Sequence, residues 1–206
     1  ERFGAEILSL KVNKVDFSDN PFKVWAGDTE YKSKTIIIST GASAKLLGLE
    51  SETKLMGHGV SACATCDAFF FKDKNVFVVG GGDSAMEEAI FLTKFASKVT
   101  ILHRRDSFRA SKIMQEKVFK NEKIDVKWNL AVIDMLGDPD KDGLEAIIVE
   151  DTVSKKQFTM NCDGLFLGIG HNPNSNIFKD KLILDKTGYI VTKDNSTETS
   201  ISGVFA

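Results

Sequence analysis

Apolar residues in this chain come in short bursts separated by glycine-rich and charged breaks, the rhythm of strands and amphipathic helices. Residues 7–17 alternate in part, through Ile7, Leu8, Leu10, Val12, Val15 and Phe17, and predict a strand with one buried face. Residues 22–25 and 29–32 flank Ala26-Gly27-Asp28 and predict a hairpin. The β-branched run at 35–39, closed by Thr40-Gly41-Ala42, predicts a parallel strand buried on both faces. Residues 44–58 carry no strong period and read as a linker.

From residue 75 the pattern turns to β-α-β. Residues 75–79 predict a strand, Gly80-Gly81-Gly82 a turn, and 83–96 a helix with Ala85, Ala89, Leu92 and Ala96 on its buried face and Met86 and Ile90 beside them. A strand at 98–102, a helix at about 110–120 and a strand at 124–128 follow. Residues 131–136, 144–150 and 156–161 predict an antiparallel meander, with turns at Gly137-Asp138-Pro139 and at 140–143. Residues 164–168 predict another buried strand, and 189–191 and 203–206 two short ones. No internal repeat and no low-complexity tract interrupts the series.

At 206 residues, 42% hydrophobic and 27% charged, the composition is that of an ordinary globular protein of one large or two small domains. A net charge of -2 offers no electrostatic reason to expect nucleic acid or a membrane surface as partner. The longest apolar runs are strand-sized, far too short to cross a bilayer. The opening Glu1-Arg2-Phe3-Gly4 has neither a signal-peptide pattern nor an initiator Met, so the reading expects a chain whose true start has been removed.

Three cysteines are too few for a secreted disulfide scaffold, and a Cys-x-x-Cys pair reads as redox-active or metal-binding. Zinc would want a second ligand pair, and only Cys162 and three scattered histidines remain, so no metal site is expected. In Cys63-Ala64-Thr65-Cys66 the spacing lets both sulfurs close a small ring by thiol–disulfide exchange, with Asp67 a candidate acid/base. Two buried apolar thiols, and a capping or turn carboxylate at Asp67, are the plainer alternatives. Cys162 reads as an inert core residue.

Gly80-Gly81-Gly82-Asp83-Ser84-Ala85 fits G-x-G-x-x-A with a strand before it and a helix after. The first glycine allows the tight turn, the second lets backbone approach a pyrophosphate, and Ala85 permits close helix–strand packing. The next strand ends on His103-Arg104-Arg105-Asp106, with Arg109 one turn later, where an NAD site would carry a carboxylate. Arginine forks suit a 2′-phosphate, which argues for NADPH; a solvated basic loop is the bland alternative. Hydride from a nicotinamide and electrons on a disulfide are usually joined by a flavin, so FAD is implied too.

These motifs, with Ser39-Thr40-Gly41-Ala42, Gly168-Ile169-Gly170-His171-Asn172-Pro173 and residues 199–206, resemble low-molecular-weight thioredoxin reductases in order along essentially the whole chain. The resemblance implies an α/β fold: a Rossmann-like NADPH-binding domain, with a parallel sheet, helices and an antiparallel meander, inserted into an incomplete FAD-binding domain. Residues 1–44 and 171–206 would be the FAD-domain pieces and 45–170 the NADPH domain with the redox centre. The resemblance further implies that Cys66 is the thiol nearer the flavin, that Cys63 attacks thioredoxin, and that Asp67 is the acid/base. By the same resemblance Gly80, Gly81, Gly82, Asp83, Ser84, Ala85, His103, Arg104, Arg105, Arg109, Ile169 and Gly170 would serve NADPH. Val12, Thr40, Gly41 and Ala42 would touch FAD. A homodimer, a domain rotation hinged near Ala44 and His171, and a cytoplasmic setting, an organelle remaining open, complete the implication.

The chain departs from the pattern where the FAD fingerprint and the closing Gly-Asp are missing, where Ala68 replaces glycine, and where His58 replaces a basic residue. His171 suits a structural hydrogen bond better than a cofactor contact. Two further readings stay open: a flavoprotein partner of a peroxidase, and an isolated NADPH-binding module that transfers nothing.

Overall fold

The computed structural model describes residues 4–206; residues 1–3, which include the start of the expected first segment, lie outside the described residues. In chain order, β1 (Val12–Asp16), β2 (Phe22–Ala26), β3 (Thr29–Ser33), β4 (Ile36–Ile37) and β5 (Ala42–Ala44) come first. Helix α1 (Glu50–Leu55), β6 (Val60–Ser61), α2 (Ala64–Asp67) and a 3-10 turn at Ala68–Phe71 lead to β7 (Asn75–Val79), α3 (Asp83–Leu92) and β8 (Lys98–His103). Then come α4 (Lys112–Phe119), β9 (Ile124–Trp128), β10 (Leu130–Asp138), β11 (Gly143–Asp151), β12 (Gln157–Asn161), β13 (Gly164–Leu167), β14 (His171–Pro173) and β15 (Val204–Phe205). The chain divides into two compact units, Ala44–His171 and the pair of segments Glu1–Ser43 and Asn172–Ala206.

The Ala44–His171 unit is built on a five-stranded parallel sheet in the order β6-β13-β7-β8-β9. Period-2 alternation sends successive side chains to opposite faces. Val76, Val78, Val99 and Ile101 join a core with α3 and α4, while Phe77, Val79 and Leu102 join a second core with the β10-β11-β12 meander. On α3 the expected stripe is buried at Ala85, Met86, Ala89 and Leu92. The helix stops at Leu92, four residues early, because the Thr93 hydroxyl donates to the Ile90 carbonyl and the N–H groups of Lys94 and Phe95 bond three residues back. Ala96 is still buried, carried there by that tight turn.

Two expectations for this unit are corrected. Residues 44–58 are not merely a linker: α1 lies within them, with Leu55 buried in the meander-side core. The buried Glu52 carboxylate accepts the N–H groups of Leu47 and Gly48 at 2.7 and 2.8 Å, which anchors the segment without any apolar period. The two-residue strand β6, parallel to β13, was also absent from the pattern reading.

In the other unit, β1, β2 and β3 form an antiparallel sheet, with Gly27 and Asp28 turning the β2–β3 hairpin, and β4 pairs in parallel with β15. Its core gathers Val15, Phe17, Phe22, Ile38, Phe178, Leu182 and Val204. The predicted strand at 7–17 is shorter than expected: only Val12–Asp16 pairs, and Ile7, Leu8 and Leu10 are exposed because no strand among the described residues covers them. The run at 35–39 is not buried on both faces either. Ile38 is buried but Ile37 is 79% exposed, since β4 has one two-residue partner and a single packed face. Residues 189–191 make an isolated bridge, Ile190 to Leu184, in place of a strand.

Candidate functional site

The redox loop begins on β6, at the edge of the parallel sheet, and runs into α2, which packs against α3. Cys63 and Cys66 are joined as a disulfide, with Cα atoms 5.3 Å apart. The α2 turn makes this spacing natural, because the N–H groups of Cys66 and Asp67 both donate to the Cys63 carbonyl at 3.2 Å. Cys66 is exposed and Cys63 half-buried, so this is no pair of inert core thiols. Cys162 is the contrast: burial pushes its thiol up to about 12, and it packs in the meander-side core.

Asp67 is the last residue of α2 and stands at the N-cap position of the 3-10 turn that follows, where its side chain makes no capping hydrogen bond. Its carboxylate accepts the Ser61 hydroxyl at 2.6 Å, and the Ser61 oxygen accepts the Cys63 N–H at 3.0 Å. A carboxylate tied to the backbone of a redox cysteine can take up and return the protons that sulfur exchange requires. Beside it a groove of about 270 Å³ is lined by His58, Ser61, Asp67, Phe70, Lys74 and Lys141, among others. Ala68 is buried in αR conformation, so the residue that departs from the family glycine needs no left-handed backbone here.

The glycine turn is made by contacts that admit almost nothing else. A Cβ at Gly80 would overlap the Gly168 carbonyl and the Ala85 side chain, and one at Gly168 would meet Ala85. Ala85 thus lets α3 sit directly on the ends of β7 and β13, as a G-x-G-x-x-A turn requires. A Cβ at Gly81 would overlap the imidazole of His103. At Gly82, the N-cap of α3, nothing lies within 4 Å, so the backbone stays open to an approaching phosphate. Asp83 is committed elsewhere: its carboxylate accepts the N–H and the hydroxyl of Ser111 at 2.8 and 2.9 Å, fastening the start of α4. Ser84 stands in the first turn of α3.

The loop after β8 folds back over this turn, the N–H groups of Arg109 and Ala110 donating to the Gly81 carbonyl at 2.8 and 3.1 Å. The carbonyls of Arg104 and Arg105 accept from the Thr152 hydroxyl and the Asn129 N–H. The backbone is therefore pinned while Arg104, Arg105 and Arg109 are exposed, and none of the three makes an ion pair among the described residues. Beneath them Phe108, Trp128 and His103 form an aromatic cluster, with 4.3 Å between the Phe108 and Trp128 rings. Pattern reading missed Phe108 and Trp128, although Phe108 lies within the arginine segment. Burial holds His103 below the usual imidazole range, and the charges of Arg105 and Arg109 act the same way. Its buried Nε2 has no partner among the described residues. The open Gly82 and the three exposed guanidinium groups could hold an anionic cofactor at this turn. Ile169 and Gly170 follow β13, with open space around Gly170.

The residues expected at FAD are in the other unit. Val12 opens β1 and is 37% exposed, and Thr40, Gly41 and Ala42 are exposed. Asn174 holds that turn: its amide donates to the Thr40 carbonyl and its backbone N–H to the Gly41 carbonyl, both at 3.0 Å, while Ser43 donates to its side chain. These residues offer an open edge for a flavin but no phosphate cradle among the described residues. No group of three His, Cys, Asp or Glu that could hold a metal ion occurs among the described residues, and no helix there is long and apolar enough to cross a membrane.

Residues 3–206 match the family model of pyridine nucleotide-disulphide oxidoreductases. The chain is 50% identical to a thioredoxin reductase of Rickettsia conorii over 98% of its own length and 66% of that protein's. Its fold is similar to solved thioredoxin reductases from Streptococcus pyogenes, with a TM-score of 0.82 at 40% identity, covering 100% of this chain and 66% of that one. For the enzyme of Giardia duodenalis the TM-score is 0.84 at 37% identity, covering 100% and 67%. The chain therefore spans just under two thirds of the Rickettsia relative's length.

Proposed function

Because this chain belongs to the pyridine nucleotide-disulphide oxidoreductase family, we propose that it carries the redox centre of an NADPH-dependent flavoprotein that reduces thioredoxin. The observation that carries the reading is the Cys63–Cys66 disulfide with the Asp67 carboxylate bonded, through Ser61, to the backbone of Cys63. When bound, NADPH and FAD supply the hydride and pass its two electrons to that disulfide. The chain's own residues do the rest. Gly82 and the first turn of α3 receive the pyrophosphate, and Arg104, Arg105 and Arg109 hold the 2′-phosphate. Thr40, Gly41, Ala42 and Val12 border the flavin.

Once reduced, the pair delivers two electrons by exchange. The Cys63 thiolate attacks the substrate disulfide, forming a mixed disulfide and releasing one substrate thiolate. Cys66 loses its proton, attacks Cys63 Sγ and releases the second substrate thiolate as the enzyme disulfide closes. Asp67 takes up the proton of the attacking thiol and returns it to a leaving thiolate.

In the full-length enzyme loaded with FAD, NADPH oxidation coupled to thioredoxin reduction should disappear with Cys63→Ser or Cys66→Ser. Arg104→Ala with Arg105→Ala should weaken NADPH roughly tenfold or more and leave NADH little changed. Equal loss for both nucleotides would refute the nucleotide assignment, and turnover surviving Cys63→Ser would refute the dithiol route.

A further inference from the structure

The Ser61 hydroxyl sits at a junction that the exchange chemistry leaves unassigned. It is 4% exposed, lies one residue before the Ala62-Cys63 step, and reaches Asp67 six positions on. It donates to Asp67 Oδ2 at 2.6 Å and accepts the Cys63 N–H at 3.0 Å, and a second acceptor, the Cys63 carbonyl, lies 3.4 Å away. A hydroxyl has one donor and two acceptor sites, so this set can be satisfied in two ways. With Asp67 ionised, Ser61 donates to the carboxylate. With Asp67 protonated, the carboxyl donates to the Ser61 oxygen and the Ser61 proton turns to the Cys63 carbonyl. The Cys63 N–H keeps its acceptor in both.

We propose that Ser61 is a positioning residue for the exchange step: it holds Asp67 against the Cys63 backbone in both protonation states and lets the proton enter and leave without orphaning a buried polar group. This deepens the reading above and rests on it, since it presumes that Asp67 moves protons for the dithiol. The balance is closed. The proton that Asp67 accepts comes from the attacking enzyme thiol and goes to the departing substrate thiolate, while the two electrons pass from the enzyme thiols to the substrate disulfide. Ser61 neither gains nor loses a proton overall. Asp67 also lines the groove shared with His58 and Lys141, which gives the carboxyl a route to solvent between turnovers. Without the hydroxyl, both Asp67 Oδ2 and the Cys63 N–H lose their partner, and the carboxylate is free to turn away from the sulfurs.

The test compares wild type, Ser61→Ala, Ser61→Thr, Asp67→Asn and the Ser61→Ala/Asp67→Asn double variant as full-length FAD-loaded enzymes. Turnover is read with NADPH on thioredoxin, on a small aromatic disulfide, and on ferricyanide, which draws electrons from the flavin without the dithiol. Ser61→Ala should lower kcat on both disulfides roughly 10- to 100-fold, with KM and ferricyanide reduction unchanged. Ser61→Thr, which keeps the hydroxyl, should stay close to wild type. Adding Ser61→Ala to Asp67→Asn should cost little more than Asp67→Asn alone, because the two act as one unit. Wild-type rates in Ser61→Ala, multiplicative losses in the double variant, or a Thr variant as slow as Ala would each overturn the proposal. Loss of ferricyanide reduction in Ser61→Ala would overturn it too, making the hydroxyl a folding contact. A wild-type enzyme that turns over the aromatic disulfide but leaves thioredoxin oxidised sinks the substrate reading alone, and the Ser61 comparison is then judged on the aromatic disulfide.

Discussion

The two units handle the same kind of apolar run differently. In the Ala44–His171 unit the strands have a helix-side core on one face and a meander-side core on the other, and β7 buries four of its five residues. In the other unit one core, around Phe17, Phe22 and Phe178, serves sheets of two and three strands, and Ile7, Leu8, Leu10, Ile37, Ile183 and Tyr189 stand exposed. A β-branched run states that a segment suits a sheet; it does not state how many of its faces will be covered. The candidate chemistry follows that split. At Gly80 and Gly81 the glycine turn is defined by contacts too close for a Cβ, whereas Thr40 and Gly41 form an exposed loop leading into β5, tied down by Asn174.

The largest effect tests the packing side of the contrast. Phe166 is fully buried and meets Phe71 edge-on at 5.1 Å, so Phe166→Ala should cost about 3–5 kcal/mol in the Ala44–His171 unit. Phe178→Ala, in the smaller core, should fall at the low end of that range, because a site with fewer packed layers collapses more easily. The chain holds two tryptophans, Trp25 in one unit and Trp128 in the other. Urea unfolding of the Trp25→Phe and Trp128→Phe backgrounds therefore reads each unit by its own fluorescence. Equal costs for the two substitutions would break the contrast.

Adjacent glycines sharpen it within one turn. Gly81→Ala must displace the buried His103 ring and should cost about 1–3 kcal/mol. Gly82→Ala meets nothing within 4 Å at φ -104, so urea stability should hold while NADPH affinity, measured by fluorescence titration of the full-length enzyme, drops roughly tenfold. If Gly82→Ala binds NADPH as wild type does, the open backbone is not the phosphate seat.

Those two glycines also mark how far the chain could be read without coordinates. The β7–turn–α3 unit was legible because its signals are local: a short apolar run, G-x-G-x-x-A, then an apolar stripe at helical spacing. The dithiol was legible for the same reason, four residues carrying their own chemistry. What stayed hidden depends on pairs distant along the chain or lacking a period. Ser43 and Asn174 are 131 positions apart. Glu52 anchors α1 by folding back onto two N–H groups, so an ionic side chain does what apolar residues do elsewhere. Ser61 and Asp67 meet across a helix of four residues, and no spacing rule announces such a bond.

Glu88 on α3 supplies a smaller, pH-dependent effect. Burial raises its carboxyl from 4.5 to about 7, and its Oε2 has no hydrogen-bond partner among the described residues. The folded chain therefore binds this proton more tightly than the unfolded chain does. That advantage is complete below about pH 4.5 and is lost as the pH rises through about 7. At about 1.4 kcal/mol per pKa unit the full shift would amount to about 3 kcal/mol; for a group partly open to solvent, about 1–2 kcal/mol is the reasonable share. Glu88→Gln should accordingly match wild type near pH 4.5 and be more stable at pH 8, by urea midpoints read through Trp128. A pH-independent difference would show that the carboxyl is solvated.

The smallest effect returns to the β-branched run that looked buried on both faces. Ile37→Thr keeps the branched Cβ that suits a strand and removes apolar atoms from a side chain already 79% exposed, so the unfolding free energy should change by no more than about 0.5 kcal/mol. The same substitution at Ile101, fully buried on β8, puts a hydroxyl into the helix-side core and should cost about 2 kcal/mol or more, from lost apolar burial and an unpaired polar group. Both positions are isoleucines in parallel strands and receive the same substitution, so the pair separates coverage from the propensity of the side chain. If Ile37→Thr proves as costly as Ile101→Thr, Ile37 is covered in solution, and the contrast between a sheet packed on two faces and one packed on a single face loses its basis.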